Sequence, residues 1–241
     1  MVSTSSTGGG RSTGGIGREV DGTPRAAPDG RPLVGRWCRV VPLAEEHLTA
    51  LHAEVCAPGT EDDWAFLATG PYSDLDDFAA MCRASTTEPH RLSLAVLDAD
   101  GRPVGMASYL RIQPEHGSIE VGSILYGPSL QRTTAATEAM YLLMSHAFDD
   151  LGYRRYEWKC NSLNVRSVRA AERLGFTYEG THRNAMVVKG RSRDTAWFSI
   201  TDDEWPLVRT ALEIWMSDDN QGSEGQLQSL EGVRRELSGQ R

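Results

Sequence analysis

Long apolar runs are missing from this chain. Across 241 residues there is no stretch of roughly 18 apolar residues, the length a bilayer-crossing helix needs, so a transmembrane helix is excluded. The N-terminus is polar and rich in Gly, Ser and Thr. It lacks the apolar core of a secretory signal, and a cytoplasmic protein is expected. Paired cysteines are also absent. Cys38, Cys56, Cys82 and Cys160 stand far apart without a Cys-x-x-Cys, and read as buried free thiols in a reducing compartment rather than a zinc or redox site. The six histidines include no His-Glu-x-x-His, so no metal is expected, and neither a Gly-x-Ser-x-Gly elbow nor a phosphate-binding Gly-x-x-x-x-Gly-Lys-Ser/Thr loop occurs. Lysine is nearly absent. Of 25 basic side chains only Lys159 and Lys189 are lysines, which reads as codon bias of a GC-rich genome. Against 33 acidic residues the net charge is −8, which argues against a general polyanion binder and leaves room only for a local basic patch.

What is present suits one domain with tails. Residues 1–30 hold eight of the 24 glycines and eight Ser/Thr, too little apolar surface to offset ordering, and read as a disordered arm. Residues 31–216 form the folded domain. Residues 217–241 turn polar, with Leu227, Leu230, Val233 and Leu237 forming one weak helical stripe. Inside the domain, alternating and helical periodicities follow one another. A strand over 33–43 is followed by helices over 44–56 and 74–83, the second capped by Ser73. Strands over 91–97 and 103–112 flank the turn Asp98-Ala-Asp-Gly101, and a strand over 118–126 runs into Gly127-Pro128. After a long helix over 133–148 come a strand 154–160, a helix 165–174, a strand 176–180, a hairpin 184–188/195–200 and a helix 203–216. This order describes an α/β (α+β) single mixed sheet, antiparallel at first and parallel around the long helix.

Two segments carry chemistry. In the first, the strand over 118–126 leads to Gln131-Arg-Thr-Thr-Ala-Ala136 at a helix start. Unpaired N–H groups and the helix dipole there suit a diphosphate, small residues let it approach, and Arg132 and the threonines add donors. A plain Thr-capped helix start reads equally well. In the second, Asn164-x-x-Ser167 opens a helix ending in Glu172-Arg-x-Gly175-Phe176, with Gly175 as its terminating glycine.

Together, Gln131-x-x-Thr134-x-Ala136, Asn164-x-x-Ser167 and Glu172-Arg-x-Gly175-Phe176 resemble the GNAT superfamily of N-acyltransferases. Leu33-x-Gly-Arg-x-Cys-Arg-Val-x-Pro-Leu43 resembles its ribosomal-protein N-acetyltransferase (RimJ/RimL-type) branch. The resemblance spans residues 33–205 and implies a splayed sheet of about seven strands with four or five helices. It implies acetyl-CoA or another acyl-CoA as co-substrate. The pantetheine would pair with Ser123, Ile124, Leu125 and Tyr126, the diphosphate would lie on Gln131, Arg132, Thr133, Thr134, Ala135, Ala136 and Thr137, and Asn164 would stand on the pantetheine side. Two positions depart from the family pattern. Thr134 stands for the loop's central glycine, where a Cβ restricts the backbone, and Ala171 stands where many members carry a general-acid Tyr.

For proton transfer, Glu120 is the candidate base, where desolvation would raise its pKa, although a strand Glu paired with an Arg reads as well. Ser167 could protonate the leaving thiolate or be an ordinary first-turn serine. His182 is a candidate relay, or a solvated loop histidine; His116 and Asp194 are weaker, Asp194 more naturally ordering a turn. Trp37, Trp158, Trp197 and Phe198 read as core. Trp64, Phe66 and Tyr72 divide between packing and an acceptor wall, and Lys189-Gly-Arg191-Ser-Arg193 is a basic hairpin tip. The leading reading is acyl transfer from acyl-CoA to a primary amine of a small molecule or peptide by direct attack in a ternary complex. One rival keeps the fold but takes aminoacyl-tRNA as donor, which would make tRNA the only nucleic-acid partner; another is a silent acyl-CoA-binding module. The chain would act as monomer or homodimer.

Overall fold

The computed structural model describes residues 17–222 and 225–239. Ten strands and six helices occur among the described residues. β1 (Leu33–Val34) and β2 (Cys38–Pro42) precede α1 (Leu48–Val55) and α2 (Leu75–Thr86). Then come β3 (Leu92–Asp98), β4 (Pro103–Gln113), β5 (Ser118–Tyr126) and α3 (Thr134–Ser145). β6 (Arg155–Asn161), α4 (Val165–Leu174), β7 (Thr177–Val188), β8 (Arg191–Thr201) and α5 (Trp205–Met216) complete the expected domain. β9 (Gln221–Gly222), β10 (Gly225–Gln226) and α6 (Leu230–Leu237) follow.

Eight strands form one mixed sheet in the order β1-β2-β3-β4-β5-β6-β8-β7, and β9 and β10 make a separate two-stranded ribbon. Within the large sheet only β5 and β6 pair in parallel, as the crossover through α3 requires. The sheet buries both faces. On one side α3 and α5 cover Tyr109, Ile119, Val121, Tyr156, Trp158 and Phe198; on the other, α1 and α2 cover Ala95, Leu97, Met106 and Leu125.

Local chemistry sets the ends of elements. The β3–β4 turn forms because the Asp98 carboxylate accepts the N–H groups of Asp100 and Arg102 and Gly101 takes a left-handed backbone at φ +83°. α4 starts where Asn164 Oδ1 accepts the Ser167 N–H and stops at left-handed Gly175. Two expectations are corrected and a third is refined. α2 is capped by Asp74, which accepts from Asp76 and Asp77, and not by Ser73. The expected helix over 133–148 stays helical past Phe148: α3 itself ends at Ser145 and widens without a break into a π-helical turn over His146–Asp150. The expected break between strands 176–180 and 184–188 is a bulge between His182 and Met186 inside one continuous β7, with Asn184 left-handed at φ 50°.

The termini differ in packing. Residues 1–16 lie outside the described residues, so the expected arm is described only over 17–30, which carries no helix or strand. There the Arg25 N–H donates to the Pro114 carbonyl and Arg18 pairs with Asp203. Residues 217–241, expected as a polar tail with a helical stripe, include α6, whose Leu230 and Val233 are buried in the main core.

Candidate functional site

β5 and β6 run side by side only briefly. Their ladder joins Ser118–Val121 to Arg155–Trp158 and stops there. Beyond it, among the described residues, Gly122, Leu125 and Tyr126 pair only with β4, so one hydrogen-bonding edge of Gly122–Tyr126 faces an open wedge. A bulge lies in the same stretch, and Ser123 has the left-handed backbone φ of 48°. Such a bulge bends the strand away from its neighbour and re-aims its side chains.

The loop after β5 leads into the first turn of α3. Thr133 caps the helix by accepting the Ala136 N–H, and the first-turn amides of Thr134 and Ala135 have no partner within the helix. The left-handed residue here is Arg132, at φ 62°, not Thr134. Thr134 is the first helical residue, a conformation any residue adopts, so its Cβ adds bulk without backbone strain. Gln131 Nε2 donates to the Tyr126 carbonyl at 2.7 Å and to Asp63 Oδ2 at 2.8 Å. Thr137 is buried, and its hydroxyl accepts from Arg173.

Beside the wedge lies a buried charge cluster. Lys159 Nζ donates to Glu120 Oε2 at 2.7 Å and lies 2.9 Å from Glu157 Oε2, while Arg111 Nε is 3.8 and 3.9 Å from the same two carboxylates. Trp197 supports the cluster, with Lys159 Nζ 3.9 Å from its ring centroid. Burial raises the Glu120 pKa above the ordinary carboxylate value against the opposing pull of Lys159. Burial would raise Glu157 too, but Arg155 and Lys159 hold it below the ordinary value. The oxygens of Glu120 are not equivalent. Oε2 is tied to Lys159, whereas Oε1 would stand 3.3 Å from a Cβ placed on Gly122, the first residue of the open edge.

A cleft of about 510 Å³ opens between α2 and β4–β5. Trp64, Leu67, Tyr72, Met81, Met106, Ser123 and Leu125 supply its walls, and Asp77, Glu88 and Arg91 its charges. Trp64 is mostly structural: its Nε1 donates to the Val55 carbonyl, and its ring meets Tyr72 and Phe78 edge-on. Phe66 is half-buried and lies outside the lining of this cleft.

The structure thus brings Glu120, Ser123, Ile124, Leu125, Tyr126, the 131–137 helix start and the Trp64–Tyr72 wall around one wedge. Ser167 is near the other side: its hydroxyl accepts from Trp158 Nε1 at 3.0 Å and lies beside the Cys160 thiol, toward which its own proton can point. Asn164 spends its side-chain oxygen on capping α4. His182 is exposed, and its ring lies 4.8 Å from that of Trp197 at a tilt of 38°, on the tryptophan that supports the charge cluster. Asp194 orders the β7–β8 hairpin by accepting the Asn184 N–H, the plainer of its two readings. Sequence reading passed over Lys159, Glu157, Arg111, Asp63 and Arg166. Lys159 alone had a signal, as one of only two lysines in the chain.

The comparisons agree with this geometry. A family model described as an acetyltransferase (GNAT) domain matches residues 39–177. A GCN5-related N-acetyltransferase from Brucella melitensis shares the fold at a TM-score of 0.86 and 41% identity, over 89% of this chain and 98% of that one. Two curated Bacillus proteins match over shorter stretches. The uncharacterized N-acetyltransferase p20 of Bacillus licheniformis is 30% identical over 118 residues, 49% of this chain and 65% of the relative. YdaF of Bacillus subtilis (strain 168), named as a candidate ribosomal N-acetyltransferase, is 27% identical over 106 residues, 44% of this chain and 57% of its own. The chain therefore spans less than two thirds of the length of these two relatives.

Proposed function

Since this chain belongs to the GNAT acetyltransferase family, we propose that it transfers an acetyl or longer acyl group from acyl-CoA to a primary amine of a small molecule or peptide. The likeness to YdaF is consistent with the RimJ/RimL-type branch. The observation that carries the reading is the parting of β5 and β6 at Val121 and Trp158, directly beside the start of α3.

Each part of the site has work in that reaction. The open edge of Gly122–Tyr126 offers backbone N–H and C=O groups to the amides of a pantetheine arm, as an added strand would. The unpaired first-turn amides of α3, its dipole and Arg132 hold the diphosphate. The cleft lined by Trp64, Tyr72, Ser123 and Leu125 receives the acceptor beside the same edge. The amine nitrogen attacks the thioester carbonyl carbon; a C–N bond forms and the C–S bond breaks. The amine proton passes to Glu120, directly or through a water, with Lys159 and Arg111 steadying the carboxylate. The Ser167 hydroxyl gives a proton to the departing thiolate.

The charge cluster supports an enzyme over a silent binding module, because it sets a buried carboxylate of raised pKa on the same sheet face as Gly122, the first residue of the open edge. The test is thiol release from acetyl-CoA with a panel of primary amines, the products identified by mass spectrometry. Amide formed with any acceptor supports the reading. CoA binding without turnover would leave the sensor, and no binding of CoA would leave the aminoacyl-tRNA donor.

A further inference from the structure

The segment between α1 and α2 walls the acceptor cleft and also crosses the wedge. Asp63, in the short turn Glu61–Trp64, uses both carboxylate oxygens. Oδ1 accepts from Arg166 Nη1 at 2.8 Å and Oδ2 from Gln131 Nε2 at 2.8 Å. Next to it, the Trp64 carbonyl accepts from Lys189 Nζ at 2.9 Å. These partners stand on three different elements: the loop after β5, the first turn of α4, and the tip of the β7–β8 hairpin. β5 leads into the first and β6 into the second, so Asp63 clasps the two sides of the gap those strands leave open.

We propose that Asp63 is an electrostatic latch on the donor site. Its carboxylate occupies Arg166 and Gln131 while the diphosphate of CoA is absent, and the diphosphate must take Arg166 from it on binding. This rests on the donor site proposed above. Arg166 stands on α4, but the shared Asp63 carboxylate brings its guanidinium to Gln131 at the entry to α3, where its planar fork can bind phosphate oxygens in pairs. A carboxylate already on that Arg repels the incoming anion and competes for the same donors. Arg166 is 62% exposed and Asp63 19%, so the guanidinium is free to swing off the carboxylate, and the 61–67 segment then loses its tie to α4. An ion pair exposed on one side biases the site without sealing it, a handicap of roughly three- to fivefold in affinity. The same segment carries Trp64, Leu67 and Tyr72 into the cleft. Displacing the latch therefore reshapes the acceptor wall, and by linkage an acceptor that favours the latched segment weakens CoA binding by the same factor.

The experiment compares CoA with S-acetylpantetheine, which lacks the whole 3′-phosphoadenosine diphosphate and carries an acetyl group on sulfur, each titrated calorimetrically into the full chain and into Asp63→Asn. The substitution keeps an oxygen for Gln131 and removes the charge. The expected result is CoA binding tightened about three- to fivefold, with S-acetylpantetheine unchanged. A loss of packing does not raise affinity for one ligand selectively. CoA affinity that is unchanged or weaker in Asp63→Asn, or an equal gain for both ligands, overturns the latch. Should that variant fold poorly, hydrogen exchange of residues 61–67 in the wild-type chain decides. CoA should speed exchange there while S-acetylpantetheine does not, and protection or no change by CoA overturns the proposal. A wild-type chain that binds neither ligand removes the donor site itself, whereas equal CoA binding by both chains removes only the latch.

Discussion

Glu120 has two unequal oxygens, and that inequality shapes what its substitution should do. An alkylammonium of pKa about 10 is almost wholly protonated at neutral pH, so on the proposed reading the chain either binds the neutral amine or removes a proton on site. Glu120→Gln keeps the shape and the Lys159 contact to one oxygen but removes the proposed base. We expect kcat to fall by roughly 10²–10³ with CoA affinity little changed. The pH dependence follows from the sign of the shift. Burial raises the Glu120 pKa, so the active carboxylate is lost as pH falls through that raised value, and the acid limb of the kcat profile should disappear in Glu120→Gln. Wild-type kcat in this variant would move the base elsewhere. Ser167→Ala should cost less, about tenfold, because a thiol of pKa about 8.5 leaves tolerably as thiolate. A stopped-flow trace of thiol release unchanged by that substitution would reduce Ser167 to its bond with Trp158.

At the scale of elements, α3 is where structure and site meet, because its two faces are both committed. Its first turn opens on the wedge, and one turn later buried Glu138 reaches back across the core. That carboxylate accepts the backbone N–H groups of Arg36, Trp37 and Cys38 at 2.7, 2.7 and 2.9 Å. Glu138→Ala would orphan three donors at the β1–β2 turn, at about 1–3 kcal/mol each. A loss of at least ~3 kcal/mol is expected from the urea midpoint, and a loss below ~1 kcal/mol would show that water replaces the carboxylate. None of this was legible in the sequence, since Glu138 looks like any polar residue of an amphipathic helix. The elements themselves were legible wherever periodicity and end signals coincide, as at Asp98–Gly101, Asn164 and Gly175. The wedge was legible only through the family resemblance, because it depends on where the β5–β6 ladder stops and no single residue marks that point. The Glu120–Lys159 and Asp63–Arg166 pairs join positions 39 and 103 residues apart, distances over which charge patterning along the chain carries no information.

For the whole molecule the question is which parts of the chain the folded body needs, and the two ends give opposite answers. Among the described N-terminal residues the contacts are one backbone hydrogen bond, from Arg25 to Pro114, and ion pairs such as Arg18–Asp203, whose side chains are 63% and 71% exposed; bonds and pairs of this kind contribute about 1 kcal/mol each at most. The C-terminal segment is tied differently. Leu230 and Val233 are 1% and 2% exposed, Arg234 Nη2 donates to the Glu172 carbonyl at the end of α4, and Gln226 Nε2 reaches Thr134 Oγ1 at the start of α3. Burying two aliphatic side chains is worth about 3–6 kcal/mol, which for a domain of this size corresponds to roughly 10 °C in melting temperature. A chain beginning at Arg31 should therefore melt within about 2 °C of the full chain and keep its acyl transfer. A chain ending at Met216 should melt roughly 10 °C lower and lose the support that the β9–β10 ribbon gives the donor loop. Differential scanning calorimetry of the two truncated chains separates them: equal melting temperatures would show that α6 is an appendage, and a loss of several degrees at the N-terminal end would show that the arm packs on the domain.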